Sequence, residues 1–462
     1  MRRQRIALVL CVLFFITPKP ALADAIDIYL TLAMRQRRIP GVALIVLKNG
    51  VIVKKQGYGF ANLETDTPVT PDTVFELASL TKQFTAAAIM LLMEDGRVGL
   101  DEPISTYLDA TPDSWRAVTV RHLLTHTAGL PGMAHGFQGF PATKMTYSTA
   151  DLYALARKDR VEWAPGERWQ YSDVGYFLLG KIIESASGLT YRDFLAQRIF
   201  TVLGMKATTV LDQRAIIKHR ARGYTLLNGE LVNIRRDAQL ELASHAGIFS
   251  TVGDLAKWDA ALNSDKLLKR SSLLLMWTPV TLNNGTTYPY GFGWELGEKR
   301  GHRIIGHTGL TGTEMTRFPN DGLTVIVLTN LGGSAEEPNV NSWGLTTKVA
   351  EFLVSDLAYR SVEDRDPAFT AVVKDLHAGG VQAWKKELFA PEFWTELEPD
   401  LAQVGGFLSP LGTLRTIDLV ERKPDGEHQL YRYRLGYTAR SIVVTVIRNT
   451  AGKIVKLAAQ PE

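Results

Sequence analysis

Between Phe84 and Met93 the chain is apolar almost all round, and it stops at Asp95-Gly96. A helix with no polar face has to be covered on every side. The segment therefore predicts a buried central helix, and hence a domain large enough to surround it, ended by the glycine. Just ahead of it lie Phe75-Glu76-Leu77-Ala78-Ser79-Leu80-Thr81-Lys82. Ser79 and Lys82 are spaced i and i+3, which places them on one face at the helix start.

That pairing has chemical consequences. A serine hydroxyl is a weak nucleophile until a neighbour takes its proton, and a lysine can do so once burial lowers its proton affinity. Burying the helix would desolvate Lys82. The unpaired N–H groups at a helix start, including that of Ser79, could hold a developing oxyanion. Taken alone, the same spacing describes a capped helix with a surface lysine, so the rest of the chain has to decide.

The 462 residues are 45% apolar and 22% charged, an ordinary globular composition with room for two or three domains and no repeat. Arg2, Arg3 and Arg5 precede the apolar run Ile6–Ile16, and Ala21-Leu22-Ala23 supplies a small-x-small site. Residues 1–23 thus read as a signal peptide cleaved after Ala23, and the protein as periplasmic or secreted. Without the leader's Arg2, Arg3, Arg5 and Lys19, the formal net charge of +4 becomes zero. Net charge then gives no support for a nucleic-acid partner. Cys11, the single cysteine, leaves with the leader, removing disulfides, thiol nucleophiles and cysteine metal sites. No later apolar run reaches the ~18 residues of a membrane-spanning helix, so no membrane anchor is expected.

Further along, Val42–Leu47 and Val51–Val53 flank Lys48-Asn49-Gly50, a hairpin signal. His122 and His126 are spaced i and i+4, a zinc-capable spacing. The metalloprotease glutamate and a third ligand are missing, so they read as structural histidines and no metal is expected. Tyr171-Ser172-Asp173 leads into a helix over Phe177–Glu184, with Ser172 or Asp173 available as its cap. Amphipathic helices are expected over 189–203 and 250–262, and a hairpin around Asn228-Gly229. Tyr290–Trp294 opens a strand series through His307-Thr308-Gly309, Glu314–Phe318 and Leu323–Leu328, covered by a helix over 346–357. The charged residues 359–366 read as an exposed linker. Beyond it, 367–462 reads as a small α+β domain, with helices near 371–376 and 381–388 and a four-strand meander.

Ser79-x-x-Lys82, Tyr171-x-Asp173 and His307-Thr308-Gly309, in that order, resemble the serine β-lactamase and penicillin-binding protein superfamily. The similarity is to its class C β-lactamase, D-alanyl-D-alanine carboxypeptidase and esterase branch. Arg121–Leu130, Pro165–Tyr171 and Tyr290–Trp294 resemble further segments of that branch. The resemblance covers about residues 25–356 and implies a hydrolase domain over 24–358. The implied fold is α/β (α+β), with an antiparallel sheet flanked by helices and an all-helical lobe. The C-terminal region resembles small cystatin-like or NTF2-like domains. The implied chemistry is acyl transfer without a cofactor. Ser79 would be the nucleophile, Lys82 and Tyr171 would move protons, and His307, Thr308 and Gly309 would flank the substrate. The N–H groups of Ser79 and Leu310 would form the oxyanion hole.

Two departures bear on substrate. Asp173 stands where the family has an asparagine that meets a substrate amide, and His307 stands where many β-lactamases carry lysine. A possible negative charge replaces a neutral group, and a titratable one replaces a fixed positive charge. Both turn the expectation from an anionic β-lactam toward a small-molecule ester, a peptide, or a substrate with an ammonium near Asp173. A D,D-carboxypeptidase or D-aminopeptidase and a β-lactamase proper remain as alternatives. So does a non-catalytic binder of peptidoglycan fragments. The natural substrate, the choice of base between Lys82 and Tyr171, and the oligomeric state stay open.

Overall fold

The computed structural model describes residues 20–130, 148–158, 160–212, 214–234, 243–332, 344–438 and 441–461. The basic and apolar segments of the expected leader lie outside these. Helix α1 (Pro20–Arg37) runs through the expected cleavage site into β1 (Gly41–Lys48). Strand β1 turns at Asn49-Gly50, both at positive φ, into β2 (Val51–Asn62), followed by a short β3 (Thr67–Pro68). The remaining strands of this sheet come much later: β4 (Glu295–Lys299), β5 (His302–Thr308), β6 (Glu314–Phe318) and β7 (Leu323–Thr329). The order is β4-β5-β6-β7-β1-β2-β3, antiparallel throughout.

Strand β1 is apolar at nearly every position because both of its faces are covered. Val42, Leu44 and Val46 join Ile26 and Leu30 of α1 in one core. Ala43, Ile45 and Leu47 enter a larger core on the other face. Central in that larger core is α2 (Thr81–Glu94), buried from Thr81 to Leu92, as its all-round apolarity requires. Helix α3 (Asp173–Ser187) and α4 (Val252–Leu262) surround it, while α5 (Leu345–Leu353) backs the opposite sheet face beside α1.

Three expectations need correction. Helix α3 begins at Asp173, four residues before the expected start, because Ser172 caps it by accepting from the Gly175 N–H at 3.2 Å. Residues Tyr290–Trp294 form a turn ahead of the sheet, and strand β4 starts only at Glu295. In the C-terminal region, α6 (Pro367–Ala378) is followed by two short 3₁₀ turns over 381–388. Two unforeseen helices come next, α7 (Pro391–Leu397) and α8 (Leu401–Leu408). Gly405 and Gly406 lower the helix propensity of α8, and burial of Leu408 offsets it.

The C-terminal strands β8 (Leu414–Asp425), β9 (His428–Tyr437), β10 (Ser441–Arg448) and β11 (Ile454–Pro461) form the expected antiparallel meander. Phe369, Val373 and Leu376 of α6 pack against Tyr433, Leu435 and Val444 of that sheet. The segment 359–366 is exposed in its middle and fastened at both ends. Tyr359 is buried with Val420 and Val443, and Asp366 accepts hydrogen bonds from Arg448 and Tyr431, both at 2.9 Å.

Candidate active site

Ser79 sits in a 3₁₀ turn (Ala78–Leu80) that runs directly into α2. The preceding Ala78 has φ +48°, a left-handed conformation that costs a non-glycine residue on the order of 1 kcal/mol or more. Such a turn persists only where its surroundings hold it. The Leu77 N–H donates to the Ile248 carbonyl (2.8 Å), and the Ile248 N–H donates to Thr81 Oγ1 (3.1 Å). From the other side Thr311 Oγ1 donates to the Glu76 carbonyl and Thr313 Oγ1 to the Leu77 carbonyl, both at 2.8 Å. Gly309 lies in this second clamp. A Cβ there would stand 2.5 Å from the Leu77 carbonyl oxygen and 2.2 Å from Thr313 Oγ1, so the turn closes only around glycine.

Lys82, one turn into α2, has no exposed surface. Its Nζ donates to Asp173 Oδ1 at 2.7 Å, to the His245 carbonyl at 3.0 Å and to Ser79 Oγ at 3.2 Å. Burial pushes its proton affinity below the ordinary lysine range, and the Asp173 carboxylate pulls the other way without cancelling the effect. For Asp173, burial is the largest single influence and would raise the carboxyl. The charge and hydrogen bond of Lys82, with His245 and His126 adding to them, together outweigh it and hold the group below its usual range. The first turn of α3 also supplies positive helix-end potential to that carboxylate.

Tyr171 leads into α3, with its ring 4.7 Å from Lys82 Nζ and its hydroxyl hydrogen-bonded to Ser79. Burial first, then the negative charges of Asp173 and Glu295, push the phenol well above its ordinary range, so it is protonated at neutral pH. His126 packs on this ring at 4.4 Å and accepts the Ser172 N–H on Nδ1 at 3.1 Å. His122 Nδ1 lies 3.0 Å from Thr119 Oγ1. Both histidines thus have local structural partners, and among the described residues no cluster of three or more histidine, cysteine or acidic side chains could hold a metal.

The structure places Asp173 differently from the substrate-facing position expected of it. Its side chain is 4% exposed and is spent on Lys82. Nor is His307 the titratable charge anticipated. It is buried, with Nδ1 donating to the Thr308 carbonyl (2.7 Å) and Nε2 3.0 Å from the Tyr290 hydroxyl. Burial pushes it down to about 3, so it carries no charge to offer a substrate carboxylate. Thr308 is half-buried, and Leu310 is exposed in the turn that follows.

Sequence reading missed Glu295. It opens β4, opposite Gly306 of β5, and its Oε1 accepts from Thr308 Oγ1 at 3.1 Å. The surrounding protein pushes its carboxyl up to about 7, although 47% of the side chain remains exposed and solvent moderates the effect. The available signal was positional: Glu295 directly follows Tyr290–Trp294 and so opens the strand that pairs with the one ending in His307-Thr308. His245 was also missed. It contributes a backbone carbonyl, which residue type does not announce.

Among known proteins, the β-lactamase family model matches residues 26–345. A penicillin-binding protein of Bacillus subtilis is 34% identical over 307 residues, spanning 62% of this chain and 67% of that protein. A D-aminopeptidase of Brucella anthropi is 29% identical over 305 residues, spanning 64% of this chain but only 57% of that protein, less than two thirds of its length. The D-amino acid amidase of Ochrobactrum anthropi SV3, solved with L-phenylalanine amide, superposes with a TM-score of 0.64 at 27% identity. That superposition covers 73% of this chain and all of the amidase. This chain belongs to the β-lactamase family, in the superfamily of serine hydrolases that includes the penicillin-binding proteins.

Proposed function

We propose that this protein is a serine hydrolase that forms an acyl-enzyme on Ser79, with esters or D-amino-acid amides and peptides as its substrate class. The observation that carries the reading is the fully buried Lys82 amine 3.2 Å from Ser79 Oγ. A lysine held there for packing alone would pay a large desolvation cost with no chemical return.

In this reading the Ser79 proton passes to neutral Lys82 as Oγ bonds to the substrate carbonyl carbon. The backbone N–H groups of Ser79 and Leu310 hold the oxyanion. Collapse of the tetrahedral adduct breaks the bond to the leaving group. Tyr171, a protonated phenol, supplies that group's proton and recovers one from Lys82. Water then enters by the same path in reverse and releases the acid. The raised Tyr171 and lowered Lys82 favour lysine as base and tyrosine as acid.

Relatives that act on D-amino-acid substrates support that substrate class. A neutral His307 in place of a fixed positive charge makes an anionic β-lactam the second reading rather than the first. We read residues 1–23 as a leader that sends the protein to the periplasm or medium, and the C-terminal sheet and helices as a cystatin- or NTF2-like unit.

Intact mass after exposure to a fluorophosphonate, with Ser79→Ala alongside, tests the nucleophile. One adduct on the wild type and none on the variant is expected. A folded wild type that takes no adduct refutes the reading in favour of a binding protein. Penicillin in a parallel tube separates slow acylation from turnover, and rapid penicillin loss would make β-lactams the substrate.

A further inference from the structure

Asp173 was the acidic residue expected to meet a substrate amine, and the structure turns it inward to Lys82. The carboxylate left at the open edge of the same site is Glu295. The contrast with other carboxylates in the sheet is instructive. Glu314 is buried and accepts from the Gly344 N–H, the Thr346 N–H and Thr346 Oγ1, so it is consumed by structure. Glu295 is held by Thr308 alone among the described hydrogen bonds, and nearly half of its surface is open.

Its surroundings suit a cation. The Tyr290 backbone bridges to that of Glu295, and Tyr288, two residues away, lies close enough to feel the Glu295 charge. Tyr288 stacks on Trp169 with ring centroids 3.9 Å apart, and Trp169 in turn stands 6.4 Å from the Tyr171 ring. An aromatic wall thus runs from the catalytic tyrosine toward the carboxylate. Aromatic faces beside a carboxylate attract an ammonium by cation–π and charge-assisted contacts together. The nearest histidine, His307, lies with Nδ1 3.8 Å from Glu295 Oε1 and is committed to the Thr308 carbonyl.

We propose that Glu295, flanked by the Tyr288–Trp169 stack, is the specificity-determining residue that selects substrates carrying a free amine near the scissile carbonyl. The inference rests on the serine-hydrolase reading and deepens it. It assigns the recognition of charge to a residue that touches neither Ser79 nor Lys82 through a described hydrogen bond.

The test compares D-alanine p-nitroanilide with its N-acetyl derivative on wild type, Glu295→Gln, Glu295→Asp and Ser79→Ala. The readout is the ratio of kcat/KM for the free-amine substrate to that for the acetylated one. In the wild type this ratio should exceed about 10, the size expected of one charge-assisted contact. Glu295→Gln should lower it about tenfold or more, mainly through KM of the free-amine substrate. Glu295→Asp should restore most of it. An unchanged ratio in Glu295→Gln, with Ser79→Ala inactive, overturns this inference and leaves the hydrolase reading standing. Ser79→Ala that retains full activity overturns the hydrolase reading itself. A binding arm needs neither turnover nor a Glu295 variant: D-phenylalanine amide should bind Ser79→Ala about tenfold more tightly than N-acetyl-D-phenylalanine amide, and equal affinities overturn the proposal.

Discussion

Asp173→Asn keeps the shape of the side chain and removes one charge from the centre of the site. In the folded protein Lys82 Nζ has Asp173 Oδ1 at 2.7 Å, the His245 carbonyl at 3.0 Å and no exposed surface. Two unit charges 2.7 Å apart attract by roughly 6 kcal/mol at an effective dielectric of about 20. Much of that is offset, because the asparagine no longer has a carboxylate to desolvate and its amide oxygen can still accept from Nζ. A net loss of about 2–4 kcal/mol follows while Lys82 stays protonated. At about 2 °C per kcal/mol for a domain this large, melting should fall by roughly 4–8 °C near neutral pH. The pH dependence is the sharper readout. Burial lowers the Lys82 proton affinity and Asp173 raises it, so removing Asp173 leaves burial opposed by the weaker pull of Glu295, and Lys82 sheds its proton at lower pH. The acidic limb of kcat/KM, which reports the free enzyme's base, should therefore move to lower pH. Measurement of p-nitrophenyl ester hydrolysis across the pH range, beside thermal melts, checks both. A limb that stays in place or moves to higher pH would refute the Lys82–Asp173 account.

Stability should respond in a linked way. The wild-type Asp173 carboxyl is held below its ordinary value of 3.8, so its contribution is present above that value and lost as pH falls through the lower folded value. In Asp173→Asn this acid-induced loss should shrink, seen as a flatter decline of melting temperature in the most acidic buffers. Tyr171→Phe should lower kcat by about 10²–10⁴ while a fluorophosphonate adduct at Ser79 still forms slowly, and an unchanged kcat would remove Tyr171 from the mechanism. Gly293 has φ +75° and would bring a Cβ within 2.5 Å of the Lys82 carbonyl oxygen. Gly293→Ala should therefore destabilise by about 1–3 kcal/mol in a thermal melt, and a neutral result would contradict that close approach. Glu295 gains its charge as pH rises through about 7. Preference for free-amine over N-acetyl substrates should thus increase across that range, measured as a kcat/KM ratio so that the shared Lys82 titration cancels. Of the groups that face Glu295, Lys82 is shared by both substrates. His307 is neutral there, and Tyr171, Tyr288 and Tyr290 are phenols pushed upward.

Local signals carried much of the architecture. Asn49-Gly50 between two apolar runs could hardly be anything but a hairpin, and both residues do take positive φ between paired Lys48 and Val51. The helix behind Ser79 was legible because only full burial suits its composition. The partners of Lys82 were not legible in the same way. Asp173 lies 91 positions away in sequence, and its orientation depends on α3 starting at that residue rather than at Phe177. Ser172 is available as a cap from sequence alone, but a cap does not say which side chain the first helical turn sends inward. Glu295 was missed for a related reason: a lone acidic residue opening an edge strand reads as solvated until the sheet order sets it beside Thr308. In the C-terminal region, Gly405-Gly406 hid a helix that exists because Leu408 is buried.

The two carboxylates of the site divide its charge between them. Lys82 feels both, Asp173 strongly at 2.7 Å and Glu295 more weakly at longer range. A single ammonium can neutralise only one of them. Asp173 has taken it, at a helix N-terminus that further favours the ionised form, and its proton affinity falls accordingly. Glu295 has no ammonium beside it, and desolvation by the surrounding protein raises its proton affinity against the opposing hydrogen bonds of Thr308. Carboxyl groups driven apart in this manner take separate duties: one stays ionised to position a base, and the other holds a proton until something positive arrives. If the arriving group is a substrate amine, binding releases the Glu295 proton and completes the charge balance that Lys82 cannot. Affinity for amine-bearing ligands should then be accompanied by proton release below about pH 7, visible as a buffer-dependent heat of binding. An affinity independent of pH in that range, with no proton released, would mean that Glu295 is not the group meeting the amine.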